Sequence, residues 1–306
     1  MDEFELISRY FDRQYEASGV HIGIGDDGAV LRPSSGHDQI QVIDTVVAGV
    51  HFPTDTNPAD IAYRAVAVNL SDVAAMGARP RWMTLALTVD DPSEIWLESF
   101  ATGLFAAADA HDVALVGGDT TRGPTVTVTV SMTAEVVAGE ALLRSGAQCG
   151  DSIFVTGSLG DAAAGLELLQ AGEENDFLGG RFLRPLARVA TGQALNSLAS
   201  AAIDVSDGLA GDLRKILQAS GVGAEVDIEK IPLSDALCER FDVARQQQFA
   251  LTGGDDYELC FTARAEAVAD IPSITEIGII TDSPKIQFRL HGDVVEVTDS
   301  GYRHFQ

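Results

Sequence analysis

Lysine is nearly missing from this chain: in 306 residues only Lys215, Lys230 and Lys285 occur. Twenty basic residues stand against 46 acidic ones, a formal charge of −26. Duplex nucleic acid and anionic membrane would both be repelled by such a surface, so neither is expected as a partner. Cysteine is scarce as well. Cys149, Cys238 and Cys260 are odd in number and show no Cys-x-x-Cys spacing, which excludes a disulfide framework or a zinc knuckle and fits a reducing cytoplasm. No apolar run approaches the ~18 residues of a membrane span, and the first residues, Met-Asp-Glu-Phe-Glu, are acidic where a signal peptide is basic. The chain contains no Gly-Lys pair, hence no Walker A loop, and no Gly-x-Ser-x-Gly elbow of a serine hydrolase.

What is present is a 46% hydrophobic composition, enough for a large core, and a length that predicts about two domains. Periodicity reads as mixed α/β in both halves. An opening amphipathic helix carries Phe4, Ile7, Tyr10 and Phe11 and ends before Gly19. Gln41–Val47 reads as a strand, Asn57-Pro58 as an N-cap followed by proline at N1 for a helix to about Gly77, and Trp82–Val89 as a strand. A helix from Pro92 to about Ala110, a short strand Val113–Val116 and a long strand Thr125–Val137 follow. Composition shifts at Ala138-Gly139-Glu140, which divides the chain into 1–139 and 140–306. The second half reads as a strand to Thr156, a Gly157-x-x-Gly160 turn, a helix to Gln170, a polar connection, a helix near Arg188–Ser200, a strand, a helix Leu209–Ala219 and further strands.

Six short Asp-centred segments punctuate this pattern: Gly25-Asp26-Asp27, Ile43-Asp44-Thr45, Asn69-Leu70-Ser71-Asp72, Gly117-Gly118-Asp119-Thr120, Asp204-Val205-Ser206-Asp207-Gly208 and Gly253-Gly254-Asp255-Asp256-Tyr257-Glu258. Thirty-six of the 46 acids lie outside them, so most of the charge is solvated surface. Carboxylates gathered in one place repel unless cations hold them together, and the segments therefore point to bound metal. Each has a plainer reading. Asp26 and Asp27 can be a solvated turn; the formal Gly23-x-Gly25-x-x-Gly28 match fails as a dinucleotide loop because two carboxylates sit where pyrophosphate would lie. Asp44 in a half-buried strand is costly to ionise unless paired or metal-bound. Asn69 and Asp72 share a helix face toward the C-terminal end, where the dipole disfavours an anion. Ser206 or Asp207 can cap the helix that follows, but capping accounts for one residue of three. His51 alone reads as a core histidine, Arg144 as a surface arginine or a phosphate contact, and Gly157–Gly165 as small residues that serve packing.

Together, the order and spacing of Ile-Gly-Asp-Asp27, Asp44-Thr-Val-Val-Ala-Gly-Val-His-Phe52, Ala67-Val-Asn-Leu-Ser-Asp-Val-Ala-Ala-Met-Gly-Ala78, Gly117-Gly-Asp-Thr-Thr-Arg-Gly-Pro124, Ala202-Ile-Asp-Val-Ser-Asp-Gly-Leu209 and Gly253-Gly-Asp-Asp-Tyr-Glu-Leu259 resemble the thiamine-monophosphate kinase family of the aminoimidazole ribonucleotide synthetase-like superfamily. The likeness runs over essentially the whole chain, including Gly301–Phe305. It implies a two-domain fold of mixed α/β type: an N-terminal domain that dimerises across its sheet, a C-terminal α/β domain, and nucleotide held between them. It implies transfer of the ATP γ-phosphoryl group to thiamine monophosphate, with several Mg²⁺ ions on Asp27, Asp44, Asp72, Asp119, Asp204 and Asp207. Gly118, Asp119, Arg144 and Ser206 would contact ATP, and His51, Asp255 and Tyr302 the thiamine phosphate. Two departures stand out: Val42-Ile43 replaces a frequent Ser-Thr before Asp44, and Asp255 replaces a frequent Glu. The remaining alternatives are another ATP-dependent member of the superfamily acting on a purine-pathway ribonucleotide, and a sensor that binds nucleotide and thiamine phosphates without turnover.

Overall fold

A computed structural model describes residues 3–13 and 17–297. The chain divides into two compact units: the residues up to Val73 with Ala78–Gly139, and Ala74–Gly77 with Glu140 onward.

In the first unit, α1 (Glu3–Leu6) runs into a wider π-type turn, Ile7–Phe11, where a single amphipathic helix was expected. A small hairpin of β1 (Val20–Ile22) and β2 (Val30–Leu31) comes next, then β3 (His37–Val47), α2 (Pro58–Ala75), β4 (Arg79–Val89), α3 (Glu94–Asp109), β5 (Ala114–Arg122) and β6 (Thr127–Val137). The sheet order is β3-β6-β4-β5, so β3 and β5 are its two edges. Asn57 caps α2 as the sequence predicts, its side-chain oxygen accepting from Ala59 N–H at 2.9 Å with Pro58 at N1, and Ser93 caps α3 by accepting from Trp96 N–H at 3.1 Å.

Alternation in β6 sets the two faces of this sheet. Val128, Val130, Met132 and Ala134 are buried, while Thr129, Ser131 and Thr133 point to the other side. On that second face Thr45 bonds Thr129 (2.8 Å), and Gln41 bonds both Ser131 (2.8 Å) and Thr133 (2.7 Å). Ile43 lies among these hydroxyls, 65% exposed. Strand β5 is longer than expected: it continues through Gly117-Gly118-Asp119 because it pairs in parallel with β4 as far as Arg122, so Asp119 sits in a strand rather than a turn.

The second unit is a seven-stranded mixed sheet with helices. Its elements are β7 (Ser152–Thr156), α4 (Asp161–Gln170), α5 (Asp176–Leu183), α6 (Val189–Ala194), β8 (Ala199–Asp204), α7 (Leu209–Ser220), β9 (Gly223–Asp227), α8 (Asp235–Arg240), α9 (Val243–Thr252), β10 (Leu259–Ala263), β11 (Ile274–Thr281), β12 (Ile286–Leu290) and β13 (Asp293–Val295). The order is β13-β12-β9-β11-β7-β10-β8, antiparallel except for β12 beside β9. Helix α7 buries Leu209, Leu213, Ile216 and Leu217, a helical stripe, in the main core with Ile153, Ile203 and Val226. A separate cluster of Ala164, Leu168, Leu178, Leu237 and Phe249 joins α4, α5, α8 and α9. Four helices depart from the sequence reading. Residues 176–183, expected as a polar connection, are helical under an Asn175 cap; the helix expected over Arg188–Ser200 shrinks to α6; and α8 and α9 stand where further strands were expected.

One packing contact has a direct consequence. A Cβ built on Gly103 of α3 would lie 1.9 Å from the carbonyl oxygen of Ala59 in α2, closer than any real contact. Gly103→Ala is expected to destabilise the protein by about 1–3 kcal/mol through overpacking, read as a lower urea midpoint.

Candidate functional site

In the first unit a cleft of about 370 Å³ forms between the β1–β2 loop and the middle of β5. Gly23 to Ala29 make one wall, Gly117 to Thr120 the other, and Ile7, Phe11, Leu85 and Leu115 an apolar side. The structure thus brings Asp27, Gly118 and Asp119 together, with Asp26 beside them. Asp27 N–H donates to the Asp26 carboxylate at 2.8 Å, and the Asp119 carboxylate accepts from the Thr121 hydroxyl at 2.8 Å. Gly118 is required by packing: a Cβ there would meet the Leu85 carbonyl oxygen of β4 at 1.9 Å. The glycine allows β5 to approach the neighbouring strand this closely.

Asp44 and Asp72 do not line that cleft. Asp44 pairs with Val130 and shares the inward face of β3 with Val42 and Val46, half-buried. Asp119 pairs across β4 through Ala86 to Thr129, so it faces the opposite side of the sheet from the opposite edge. Three strand spacings, ~14 Å, separate those edges. Asp72 is half-buried on α2, one turn after a fully buried Asn69 whose amide donates to Ala65 O at 3.0 Å. His51 accepts Val47 N–H on Nδ1 at 3.1 Å, so in the neutral ring the proton rests on Nε2.

In the second unit, Asp204, Ser206, Asp207 and Asp255 converge at the junction of β8 and α7. Asp204 is the last residue of β8, buried opposite Leu259 of β10. The loop after it is zipped to the Gly253–Glu258 segment: Asp255 N–H donates to Ser206 O and Tyr257 N–H to Val205 O, both at 2.9 Å, and Val205 N–H to Glu258 O at 2.7 Å. Asp255 and Tyr257 both hold left-handed backbone angles, φ 70° and 51°, and the Tyr257 hydroxyl donates to Asp255 at 3.1 Å. Arg144 is exposed and follows Leu143, whose carbonyl accepts from Ala202 of β8 at 2.9 Å. Tyr302 lies outside the described residues.

Neither Ser206 nor Asp207 caps α7. The N-cap position is Gly208; instead Asp212, from the first turn of the helix and fully buried, ties down the loop before it, taking the N–H groups of Ser206 (3.0 Å) and Asp207 (2.9 Å) on one oxygen. Its other oxygen accepts Lys215 Nζ at 2.8 Å, and Lys215 also reaches Asp207 at 2.6 Å. Burial raises the Asp212 carboxyl and opposes charge on Lys215, yet the bonds to Asp207 and Asp212 lift Lys215 above its ordinary value, so the ammonium persists at neutral pH. Sequence reasoning missed both residues; the signal was Asp-x-x-Lys, the i, i+3 spacing of a helix face.

The remaining acids of Gly253–Glu258 are structural. Glu258, fully buried, accepts from Arg188 at 2.6 and 2.7 Å, from Arg181 at 2.8 Å and from the Thr156 hydroxyl at 2.5 Å. Asp256 caps α4, accepting from Gly160 N–H (2.7 Å) and Ala162 N–H (3.2 Å). Burial pushes its carboxyl up to about 8, against those two bonds and the Arg181 charge.

Among the described residues no three His, Cys, Asp or Glu side chains are gathered closely enough to hold a metal ion, and no helix is long and apolar enough to cross a membrane.

Known proteins give this arrangement a context. The model of the AIR synthase related protein N-terminal domain matches residues 25–136 and that of its C-terminal domain 148–291. The chain is 47% identical to thiamine-monophosphate kinase of Salmonella typhimurium, over 99% of this chain and 98% of that protein. The crystal structure of thiamine-monophosphate kinase from Stenotrophomonas maltophilia superposes with a TM-score of 0.87 at 45% identity, covering 96% of this chain and 98% of that one. AaThiL complexed with AMPPCP and TMP gives 0.82 at 34% identity, covering 92% of each.

A pH dependence follows from Asp256. Its carboxyl titrates near 3.8 ordinarily and near 8 when folded, so the folded chain holds one extra proton between those values and this group's contribution to stability falls as pH rises through them. Urea unfolding from pH 5 to 8 should show that decline, and Asp256→Asn should flatten it.

Proposed function

The chain belongs to the AIR synthase related family and, within it, to the thiamine-monophosphate kinases, and from that premise we propose how its acidic segments serve the reaction. The protein uses ATP to phosphorylate thiamine monophosphate, giving thiamine diphosphate and ADP. It is a phosphotransferase whose acceptor is itself a phosphate.

One observation carries our assignment of the first unit's cleft. Asp26, Asp27 and Asp119 line it from both walls, and no basic side chain stands among its described lining residues. A polyphosphate enters such a place only in company with divalent cations. The donors suit magnesium: carboxylate and backbone oxygens, with neither thiolate nor imidazole in the lining. Asp27, Asp44, Asp72, Asp119, Asp204 and Asp207 are the residues that would hold magnesium ions, which would supply the charge that neutralises phosphate. More than one ion is needed. Asp44 and Asp119 stand ~14 Å apart on opposite faces, whereas ligands of one Mg²⁺ lie within ~2.1 Å of it.

The chain's own groups do the rest. The acceptor phosphate has a second pKa near ~6 and arrives already anionic, so no side chain serves as general base. Arg144 and Ser206 of the second unit, and Gly118 of the first, are our assigned ATP contacts. His51, Asp255 and Tyr302 hold thiamine monophosphate; the Tyr257 hydroxyl and the left-handed backbone at Asp255 fix that carboxylate. Ile7, Phe11, Leu85 and Leu115 exclude water from the cleft. Residues 1–139 carry the ATP and metal groups and pair with a second copy across the hydroxyl-lined sheet face where Ile43 is exposed; residues 140–306 complete the nucleotide and substrate sites. We assign the enzyme to the cytoplasm, a reducing setting that suits its three unbridged cysteines.

Incubation with ATP, Mg²⁺ and thiamine monophosphate, followed by chromatography, should yield thiamine diphosphate and ADP in equal amounts. ADP release that ignores thiamine monophosphate would count against the substrate, and nucleotide binding without product against turnover. Asp119→Asn should lower kcat/KM by about 100-fold or more, since a metal ligand contributes several kcal/mol; unchanged kcat/KM removes Asp119 from the site.

A further inference from the structure

Lys215 is one of three lysines in the chain, and it points at a proposed metal ligand. Its ammonium lies 2.6 Å from Asp207 and 2.8 Å from Asp212. The two carboxylates are held very differently. Asp212 is fully buried and also fastened to the Ser206 and Asp207 N–H groups. The Asp207 and Lys215 side chains are 35% and 37% exposed, so their pair faces water and is correspondingly weak.

That asymmetry has a chemical meaning. If the Asp207 carboxylate turns to another cation, Lys215 keeps its bond to Asp212, which is anchored one helical turn away on the same face of α7. No buried charge is stranded by the exchange. With no cation at hand, the same ammonium offsets the repulsion between Asp207 and Asp212 at the β8–α7 junction. The loop backbone does not depend on Lys215, because Asp212 takes the Ser206 and Asp207 N–H groups on its other oxygen.

Resting on the reading of Asp207 as a metal ligand, we propose that Lys215 is an internal counter-ion that occupies Asp207 in the metal-free enzyme and yields it to the divalent cation, thereby setting metal affinity. Lys215 is a positioning residue in this scheme. It touches neither nucleotide nor substrate, and it tunes how much free divalent cation the enzyme needs.

Mn²⁺ titration of the nucleotide-free, full-length protein, followed by electron paramagnetic resonance of the unbound ion, reads this without turnover. Lys215→Met should bind Mn²⁺ about two- to fivefold more tightly, the reach of one exposed ion pair. Lys215→Gln, which can still donate to Asp212, should do the same should the Met variant fold poorly, and Lys215→Arg should return affinity toward the native value. Lys230→Met removes a lysine paired with Asp227 elsewhere in the same unit and should leave binding unchanged. Unchanged or weaker binding in folded Lys215→Gln overturns the proposal, as does an equal gain in Lys230→Met. Asp207→Asn should weaken binding; if it titrates like the native protein, Asp207 is no ligand and the reading beneath the proposal fails first.

Discussion

Carboxylates brought close to one another stay ionised only if a cation or a set of N–H donors stands between them. This constraint shapes the second unit at every turn. Glu258, wholly removed from water, is enclosed by the two guanidinium groups of Arg181 and Arg188. Asp161 is shared between the Ser158 and Ser234 hydroxyls, each at 2.5 Å, with Arg181 at 3.8 Å. Asp212 uses backbone N–H groups on one oxygen and Lys215 on the other. Such buried clusters hold geometry more than they add stability, since removing one partner strands the rest. Here they hold the loops that carry Ser206, Asp207 and Asp255.

Acids that face clefts have no comparable enclosure. Asp26, Asp27 and Asp119 look into one cavity whose other described lining is apolar or glycine except for Thr120. On this account the missing positive charge comes with the ligand, as metal and as nucleotide, which is how a chain of net charge −26 can act on two polyanions. Sheet topology adds a second condition. Placing Asp44 and Asp119 on opposite edges and faces distributes the proposed metal positions over the first unit.

Much of this was legible before any coordinates. The Asn57-Pro58 cap, the Thr and Val alternation of β6 and the helical stripe of α7 are local patterns, and local physics fixes them. The order of the Asp segments also carried the family. What escaped the sequence depends on partners far along the chain. β5 runs through two glycines because β4 is there to pair with; α5, rich in glycine and charge, is helical because Asn175 caps it and Phe182 and Leu178 are buried. Asp256 and Glu258 read like the site residues beside them, and only the arginines 75 and 70 positions away show them to be structural. Asp212 and Lys215 were hidden differently, behind the more familiar residues just upstream of them.

Metal is what admits nucleotide to the acidic site. Calorimetric titration of a non-hydrolysable ATP analogue, with Mg²⁺ and again with excess EDTA, puts this to the test. Binding with Mg²⁺ and none detectable in EDTA is the predicted result. Equal affinity in EDTA would mean that protein groups alone receive the phosphates, and the magnesium assignment of these aspartates would be wrong.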